Sequence, residues 1–308
     1  MKALAVILEA PESLSLRPVS LLPMGHGDLT VEIAWSGVST GTEKLLWTGR
    51  MPPFPGLGYP LVPGYESVGR VIDAGRDVRG RIGEWVFVPG ATCYADARGL
   101  FGGSARRVIL PSARAMPVAE SLGRNGTLLA LAATAHHVVV GGNAPDLIVG
   151  HGVLGRLIAR IAIALAADAP TVWEVNPDRR DADDYRVIDP AADERRDYRV
   201  ICDASGAGEL LDSLIGRLGR GGEIVLAGFY DRLSFAFPSA FMREASLRIS
   251  AEFKPADVTA VTELIEAGLL SLDGLISHVE PAARAAEAYP IAFTDPACRK
   301  MVLDWSAL

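Results

Sequence analysis

The stretch DLIVGHGVLGRLIARIAIALAA, residues 146–167, decides how the chain is read. Leu147-Ile148-Val149 is an apolar strand signal, and the residues after Gly155 form a long helical run. Between them stands Gly150-x-Gly152-x-x-Gly155, and a strand before it with a helix after it is the context that separates a dinucleotide fingerprint from a chance glycine pattern. Gly150 allows the tight turn, Gly152 lets the backbone approach a pyrophosphate, and Gly155 lets helix and strand pack closely. The helix start, with Val153 and Leu154, offers free N–H groups to phosphate. His151, inside the loop, touches a phosphate or only fills the turn.

The next strand signal, TVWEV, ends near Glu174, where a carboxylate accepts hydrogen bonds from the adenosine ribose. Such a bond to a charged group is worth roughly 1.5–3 kcal/mol. The same charge repels a 2′-phosphate, which favours NAD over NADP. Asn176 and Arg179 in the following turn complete the expected cofactor set, while Arg179 and Arg180 are the counter-signal, because an arginine here can receive that phosphate.

Working outward, strand signals continue at YRVICDASG and GGEIVLAG, so strands alternate with helices as in a doubly wound parallel sheet. Before residue 115 the pattern differs. LTVEIAWSGV, SVGRVIDAG, EWVFVPG and ARRVILP are alternating runs separated by Gly and Pro turns, as in a small barrel or sandwich. The fold class expected is α/β, with a β-rich domain at 1–120, a dinucleotide-binding domain at 121–255 and a C-terminal segment, 256–308, returning to the first.

Composition bounds the rest. The chain has 308 residues, 49% hydrophobic and 22% charged, enough for two cores. A net charge of −7 without a long basic run argues against a nucleic-acid partner. The apolar runs near 128–140 and 157–167 are broken by His136-His137 and Arg160, so no transmembrane segment is expected. The amino-terminal stretch lacks the pattern of a secretory signal. Cys93, Cys202 and Cys298 are far apart, which indicates neither a disulfide framework nor a cysteine zinc site. The expected compartment is the cytoplasm.

Several segments carry a family likeness. SGVSTGTE, VPGYESVGRV, GGSARRVILP, LLALAATAHH and the tail DGLISHVEPAARAAEAY…KMVLDW together resemble the medium-chain dehydrogenase/reductase superfamily. The resemblance implies a GroES-like catalytic domain carrying an inserted Rossmann domain, and commonly a homodimer. Zinc-dependent members hold the metal with a Cys, a His in a Pro-Gly-His-Glu motif, and a Cys or acid on the helix entering the cofactor domain. At the matching positions this chain has Ser39, Tyr65 and Ala130, so no metal is expected. By the same analogy Ser39, Thr42, Glu43, Tyr65 and Glu66 face the nicotinamide. A relay from the alcohol through Thr42 or Tyr65 to Glu43 or Glu66 then replaces the metal as proton acceptor. His136 and His137 are the alternative base; adjacent on one helix, they point about 100° apart, so at most one is expected to face the cleft.

GVSTGTEKLLWTGRMPPFPGLGYPLVPGYESVGRV, with GLFGGSARRVILP, resembles a narrower family within it, the bacteriochlorophyllide a dehydrogenases. This implies oxidation of a 3-(1-hydroxyethyl) group to 3-acetyl on a tetrapyrrole of chlorophyllide type, with NAD as acceptor. Trp47, Arg50, Met51, Phe54 and Tyr59 in the loop between the two active-site segments, with Phe229 and Tyr230, are the candidates to line such a substrate, Arg50 pairing its propionate. The competing readings are a zinc-free quinone or enoyl reductase, and a non-catalytic nucleotide- or pigment-binding relative.

Overall fold

The computed structural model describes every residue except Phe54, Asp183 and Asp231. The described residues form two compact units, Met1–Ala130 with Asp273–Leu308, and Leu131–Leu272. The helix Pro255–Glu266, assigned by the sequence reading to the returning segment, belongs to the second unit. Its Asp257 accepts hydrogen bonds from His136 and His137 of the helix Leu129–Val140, and its Val258 and Val261 are buried.

In the first unit, the strand Asp28–Val38 organises everything that matters for the site. One edge pairs antiparallel with Ser67–Ala74. The other takes Arg107–Pro111 against its first half and Met301–Asp304 against its last residues. These strands belong to a seven-stranded sheet of the described residues, and a four-stranded sheet is built on Lys2–Ala10. Because Ser36 lies opposite Ser67, the loop leaving Val38 and the loop entering Ser67 emerge side by side at one end. That register brings the segments around Ser39 and Glu66 together. The Gly37 N–H donates to the Glu66 carbonyl at 2.8 Å and locks the two loops.

The C-terminal strand closes this arrangement. Trp305, directly after it, is fully buried and donates its indole N–H to Ser36 Oγ at 2.9 Å. The tail therefore holds the strand that delivers Ser39.

In the second unit, six parallel strands among the described residues run in the spatial order Arg186–Ile188, Thr171–Trp173, Leu147–Val149, Tyr198–Asp203, Leu218–Leu226, Ser246–Ile249. Numbered along the unit this is 3-2-1-4-5-6, the doubly wound order in which the order of the strands reverses between strands 1 and 4. The glycine loop leaves strand 1 at that point, beside the Asp203–Gly206 turn leaving strand 4. The fold expected from residues 146–167 is the fold observed.

Trp305→Ala should cost about 4 kcal/mol of stability, from the lost indole volume and the orphaned Ser36 hydroxyl, and denaturant unfolding measures it. An unchanged midpoint would show that the tail does not brace the Ser39 strand.

Candidate active site and cofactor cradle

Two sites are built, one in each unit. In the second unit the three glycines have separate physical reasons. Gly150 has φ +96°, which a side chain resists. At Gly155 a Cβ would lie 1.9 Å from the Gly150 carbonyl oxygen, so only glycine lets the helix Val153–Ala164 approach its strand. At Gly152 a Cβ would meet no protein atom within 4 Å. Internal packing does not require that glycine, whereas close approach of a pyrophosphate does. The first N–H groups of the helix, at Val153 and Leu154, have no intrahelical partner. The cradle fits a dinucleotide.

Glu174 follows the second strand and is nearly buried. Its Oε2 accepts from the His151 N–H at 3.2 Å and its Oε1 from the Asn176 N–H at 2.8 Å. Each oxygen keeps a further acceptor site for a ribose hydroxyl. The Asn176 side chain is committed to the Asp178 N–H at 3.0 Å, so Asn176 shapes the turn through its backbone and its amide oxygen alike. Of the two roles open to His151, its contacts fit the filling of the turn. Its ring is buried, with Nδ1 donating to the Arg179 carbonyl at 2.5 Å and Nε2 accepting from Tyr185 Oη at 2.8 Å. Burial pushes its pKa down to about 4, so the ring is a neutral strut. Arg180 donates to Asp189 at 2.6 Å and to two carbonyls of its own turn, Glu174 and Val175. Arg179 is half-buried, its carbonyl holding the His151 ring. Tyr230 donates to the Asp203 carbonyl at 3.1 Å at the reversal point, while Phe229 is exposed.

In the first unit the two loops place Ser39, Thr42, Glu43, Tyr65 and Glu66 in one cluster. Ser39 Oγ and Tyr65 Oη are hydrogen-bonded at 2.7 Å, and Tyr65 Oη reaches Thr42 Oγ1 at 3.5 Å. The Tyr65 ring is half-buried, edge-on to Phe101 with centroids 5.4 Å apart. Burial pushes its phenol above the ordinary range, and the Glu66 charge adds to that.

The carboxylates are occupied elsewhere. Glu43 is fully buried, accepting from Tyr289 Oη at 2.6 Å and from the Ser39 N–H at 3.1 Å. Glu66, also fully buried, is paired with the Lys300 ammonium. Neither acid is hydrogen-bonded to Tyr65 or Thr42, which corrects the expected hydroxyl-to-carboxylate relay. The physical reason is that buried charges need close donors, and Tyr289 and Lys300 of the returning tail supply them. Sequence reading missed both, because they lie more than two hundred residues along the chain from their partners. Burial raises Glu43 to about 7.

The expected substrate loop divides. Trp47 tilts against Tyr289 with centroids 6.5 Å apart, and Tyr59 donates its hydroxyl to the Leu46 carbonyl. Both, with Met51, pack on the unit's own core. Arg50 is exposed, and Phe54 lies outside the described residues. His136 and His137 both face Asp257, at 2.7 and 3.0 Å, one on each carboxylate oxygen. A single carboxylate bridges both and ties two helices together, so neither ring is the alternative base.

Ser39 and Tyr65 offer hydroxyls bonded to each other and Ala130 a methyl, a donor set that does not fit zinc. Among the described residues no three His, Cys, Asp or Glu side chains gather as a metal group.

The alcohol dehydrogenase GroES-like domain family matches residues 25–120. Over 99% of its length the chain is 57% identical to the 2-desacetyl-2-hydroxyethyl bacteriochlorophyllide A dehydrogenase of Rhodobacter capsulatus, covering 99% of that protein. The chain belongs to the bacteriochlorophyllide A dehydrogenase family. The protein of the same name from Cereibacter sphaeroides is 56% identical over 100% of this chain and 99% of its own. Among solved structures, an Escherichia coli alcohol dehydrogenase complexed with NADH shares the fold at TM-score 0.85 and 19% identity, covering 99% of both chains. A Sinorhizobium meliloti dehydrogenase bound to NADP does so at 0.82 and 21%, again over 99% of both. This family is thus a medium-chain dehydrogenase branch, and its members are oxidoreductases.

Glu43 carries a pH prediction. Its folded pKa, about 7, lies above the ordinary 4.5, so the native state holds a proton that the unfolded chain has lost. Its favourable contribution is full below the lower value and is lost as pH rises through the upper one. Glu43→Gln should therefore gain stability relative to the native chain between about pH 5 and about pH 8, by roughly 3 kcal/mol. Parallel denaturation curves at the two pH values would refute the assignment.

Proposed function

We propose that the protein oxidises the 3-(1-hydroxyethyl) side chain of a bacteriochlorophyllide precursor to 3-acetyl, with NAD as hydride acceptor and without zinc. The observation that carries this is the 57% identity, over essentially the whole chain, to a dehydrogenase named for that substrate. Two features of the site support it. Ser39 and Tyr65, at two of the positions that match a metal site, form a hydroxyl cluster with Thr42. At the cofactor cradle, Glu174 stands where a 2′-phosphate would meet a carboxylate and Arg180 is committed elsewhere, which favours NAD.

When bound, the nicotinamide supplies the hydride acceptor. The carbinol C–H bond gives up its electron pair as hydride, and the O–H proton leaves as the carbonyl forms. Ser39 and Tyr65 hydrogen-bond the carbinol oxygen and pass its proton along their 2.7 Å contact towards Thr42 and on to solvent water, which takes it up. Lys300 neutralises Glu66 beneath them, and Tyr289 fixes Glu43. Conjugation of the developing carbonyl with the macrocycle stabilises the transition state and so offsets part of the barrier that a Lewis acid otherwise lowers. Arg50, exposed on its loop, is the proposed partner of a substrate carboxylate.

The reading also takes the protein to be a homodimer. Ser246–Ile249 is the outermost strand of its sheet, and beside it Phe237 (67%), Phe241 (65%), Met242 (72%) and Ile249 (78%) are exposed. An unpaired edge with apolar side chains suits antiparallel pairing with a second copy across a two-fold axis. Buried thiols and the absence, among the described residues, of any helix long and apolar enough to cross a membrane accord with work in the cytoplasm.

The deciding assay combines purified protein, a hydroxyethyl chlorin and NAD, following the absorption red shift of the acetyl product. Turnover should survive chelator, exceed that with NADP, and fall about 10²-fold or more in kcat for Tyr65→Phe with little change in KM. Loss of activity restored by zinc would sink the metal-free reading, and a Tyr65→Phe enzyme of native kcat would remove the hydroxyl relay.

Light scattering after size exclusion tests the assembly. The native chain should run as a dimer and Ile249→Lys as a monomer; a native monomer contradicts the assignment.

A further inference from the structure

Arg156 follows the third fingerprint glycine, on the first turn of a helix packed against the sheet, and its side chain is only 4% exposed. A buried arginine at such a place is costly unless every donor is met. Here all five are. Nε donates to the His151 carbonyl at 3.2 Å. Nη1 donates to the Asp181 carbonyl at 3.1 Å and to its Oδ2 at 3.3 Å. Nη2 donates to the Arg179 carbonyl at 3.0 Å and to Asp181 Oδ1 at 2.7 Å.

The Arg179 carbonyl is therefore shared, taking one donor from Arg156 and one from the His151 ring, whose other nitrogen is held by Tyr185. Arg156 and His151 belong to the glycine loop and its helix. Arg179, Asp181 and Tyr185 belong to the segment after Glu174. The side chains bolt one to the other, and the Glu174 carboxylate, accepting from the His151 and Asn176 N–H groups, lies across the same joint.

We propose that Arg156 and His151 are positioning residues for the adenosine ribose: by gripping the Arg179 carbonyl they fix the turn after Glu174 against the glycine loop, so that the carboxylate meets both ribose hydroxyls and rejects a 2′-phosphate. This rests on the dinucleotide reading given above. Ordering a backbone residue costs about 1–2 kcal/mol. A turn already held by the protein does not lose that freedom when the ligand binds.

The test is fluorescence titration of the full-length protein with NADH and with NADPH, together with KM for NAD and kcat in the chlorin assay. Arg156→Lys removes the fork while keeping the charge. Tyr185→Phe removes one hydroxyl from the edge of the clamp and decides the matter if the first variant does not fold. Tyr198→Phe is the control: it breaks a hydrogen bond to Asp193 in the same unit, at 2.6 Å, that is none of the clamp's own.

The Kd for NADH should rise about tenfold in Arg156→Lys and about threefold in Tyr185→Phe, with KM for NAD following, kcat at saturating NAD within about twofold, and a narrower margin over NADPH. Tyr198→Phe should lower Tm and leave the Kd for NADH unchanged. Native affinity and selectivity in both clamp variants would overturn the proposal, as would an equal loss of affinity in the control. A native chain that binds neither NADH nor NADPH would overturn the dinucleotide reading, and the clamp with it.

Discussion

Two carboxylates and one ammonium share a dry volume in the first unit, and their charges do not cancel. Glu43 and Glu66 are both fully buried, Lys300 is paired with Glu66, and Glu66 Oε1 has no hydrogen-bond partner among the described residues. Removing one member of such a pair costs about 3–5 kcal/mol, because the other is left charged in low dielectric. Lys300 can neutralise only one acid. The second acid, Glu43, has only neutral donors, Tyr289 Oη and the Ser39 N–H. Its rise to about 7 shows that burial outweighs both of those hydrogen bonds. The imbalance is thus settled by holding a proton rather than by adding a cation.

The same constraint shapes the backbone. A Cβ at Gly37 would lie 2.3 Å from Glu66 Oε2 and 3.0 Å from Lys300 Cε. The glycine in SGVSTGTE is there for the ion pair beneath it, and closing that space brings the Ser39 and Tyr65 loops into contact. Lys300 stands directly before the strand Met301–Asp304, which leads into Trp305. One short piece of the tail consequently supplies the counter-charge for Glu66 and the brace for Ser36.

What was legible in the sequence follows from how local each signal is. The fingerprint, its strand and its helix are contiguous, and they implied the parallel sheet and the glycine roles, since the physics there is set within twenty residues. The strands Arg186–Ile188 and Ser246–Ile249 were not anticipated; they are short, edge-lying and only partly covered, so neither alternation nor an apolar run marks them. The absence of good zinc ligands at Ser39, Tyr65 and Ala130 was readable by position. The partners of the acids were not. A lysine and a tyrosine in the last twenty residues look like any solvated lysine and any core aromatic until the tail is placed in the sheet. The place of His151 in the loop suits either a phosphate contact or a filled turn, and the choice is made by an acceptor whose position depends on Arg156, a helical arginine that reads from sequence as surface.

Tyr65 is where these threads meet. Burial, then Glu66, then Glu43 all oppose ionisation of its phenol, outweighing the bonds to Ser39 and Thr42. A tyrosinate is therefore the wrong species for this site near neutral pH, and ionisation of Glu43 above about 7 makes it worse. In the proposed reaction the phenol keeps a proton at all times. It accepts one from the Ser39 side as it releases another towards Thr42, so no charge is stored on the ring. That exchange needs short contacts and half-buried access to water, and the 2.7 Å bond to Ser39 and the partial exposure of Tyr65 provide both. Zinc enzymes acidify the alcohol with a cation; here the buried acids oppose a stable anion on the phenol, and in the proposed reaction the hydroxyls carry the proton outward instead.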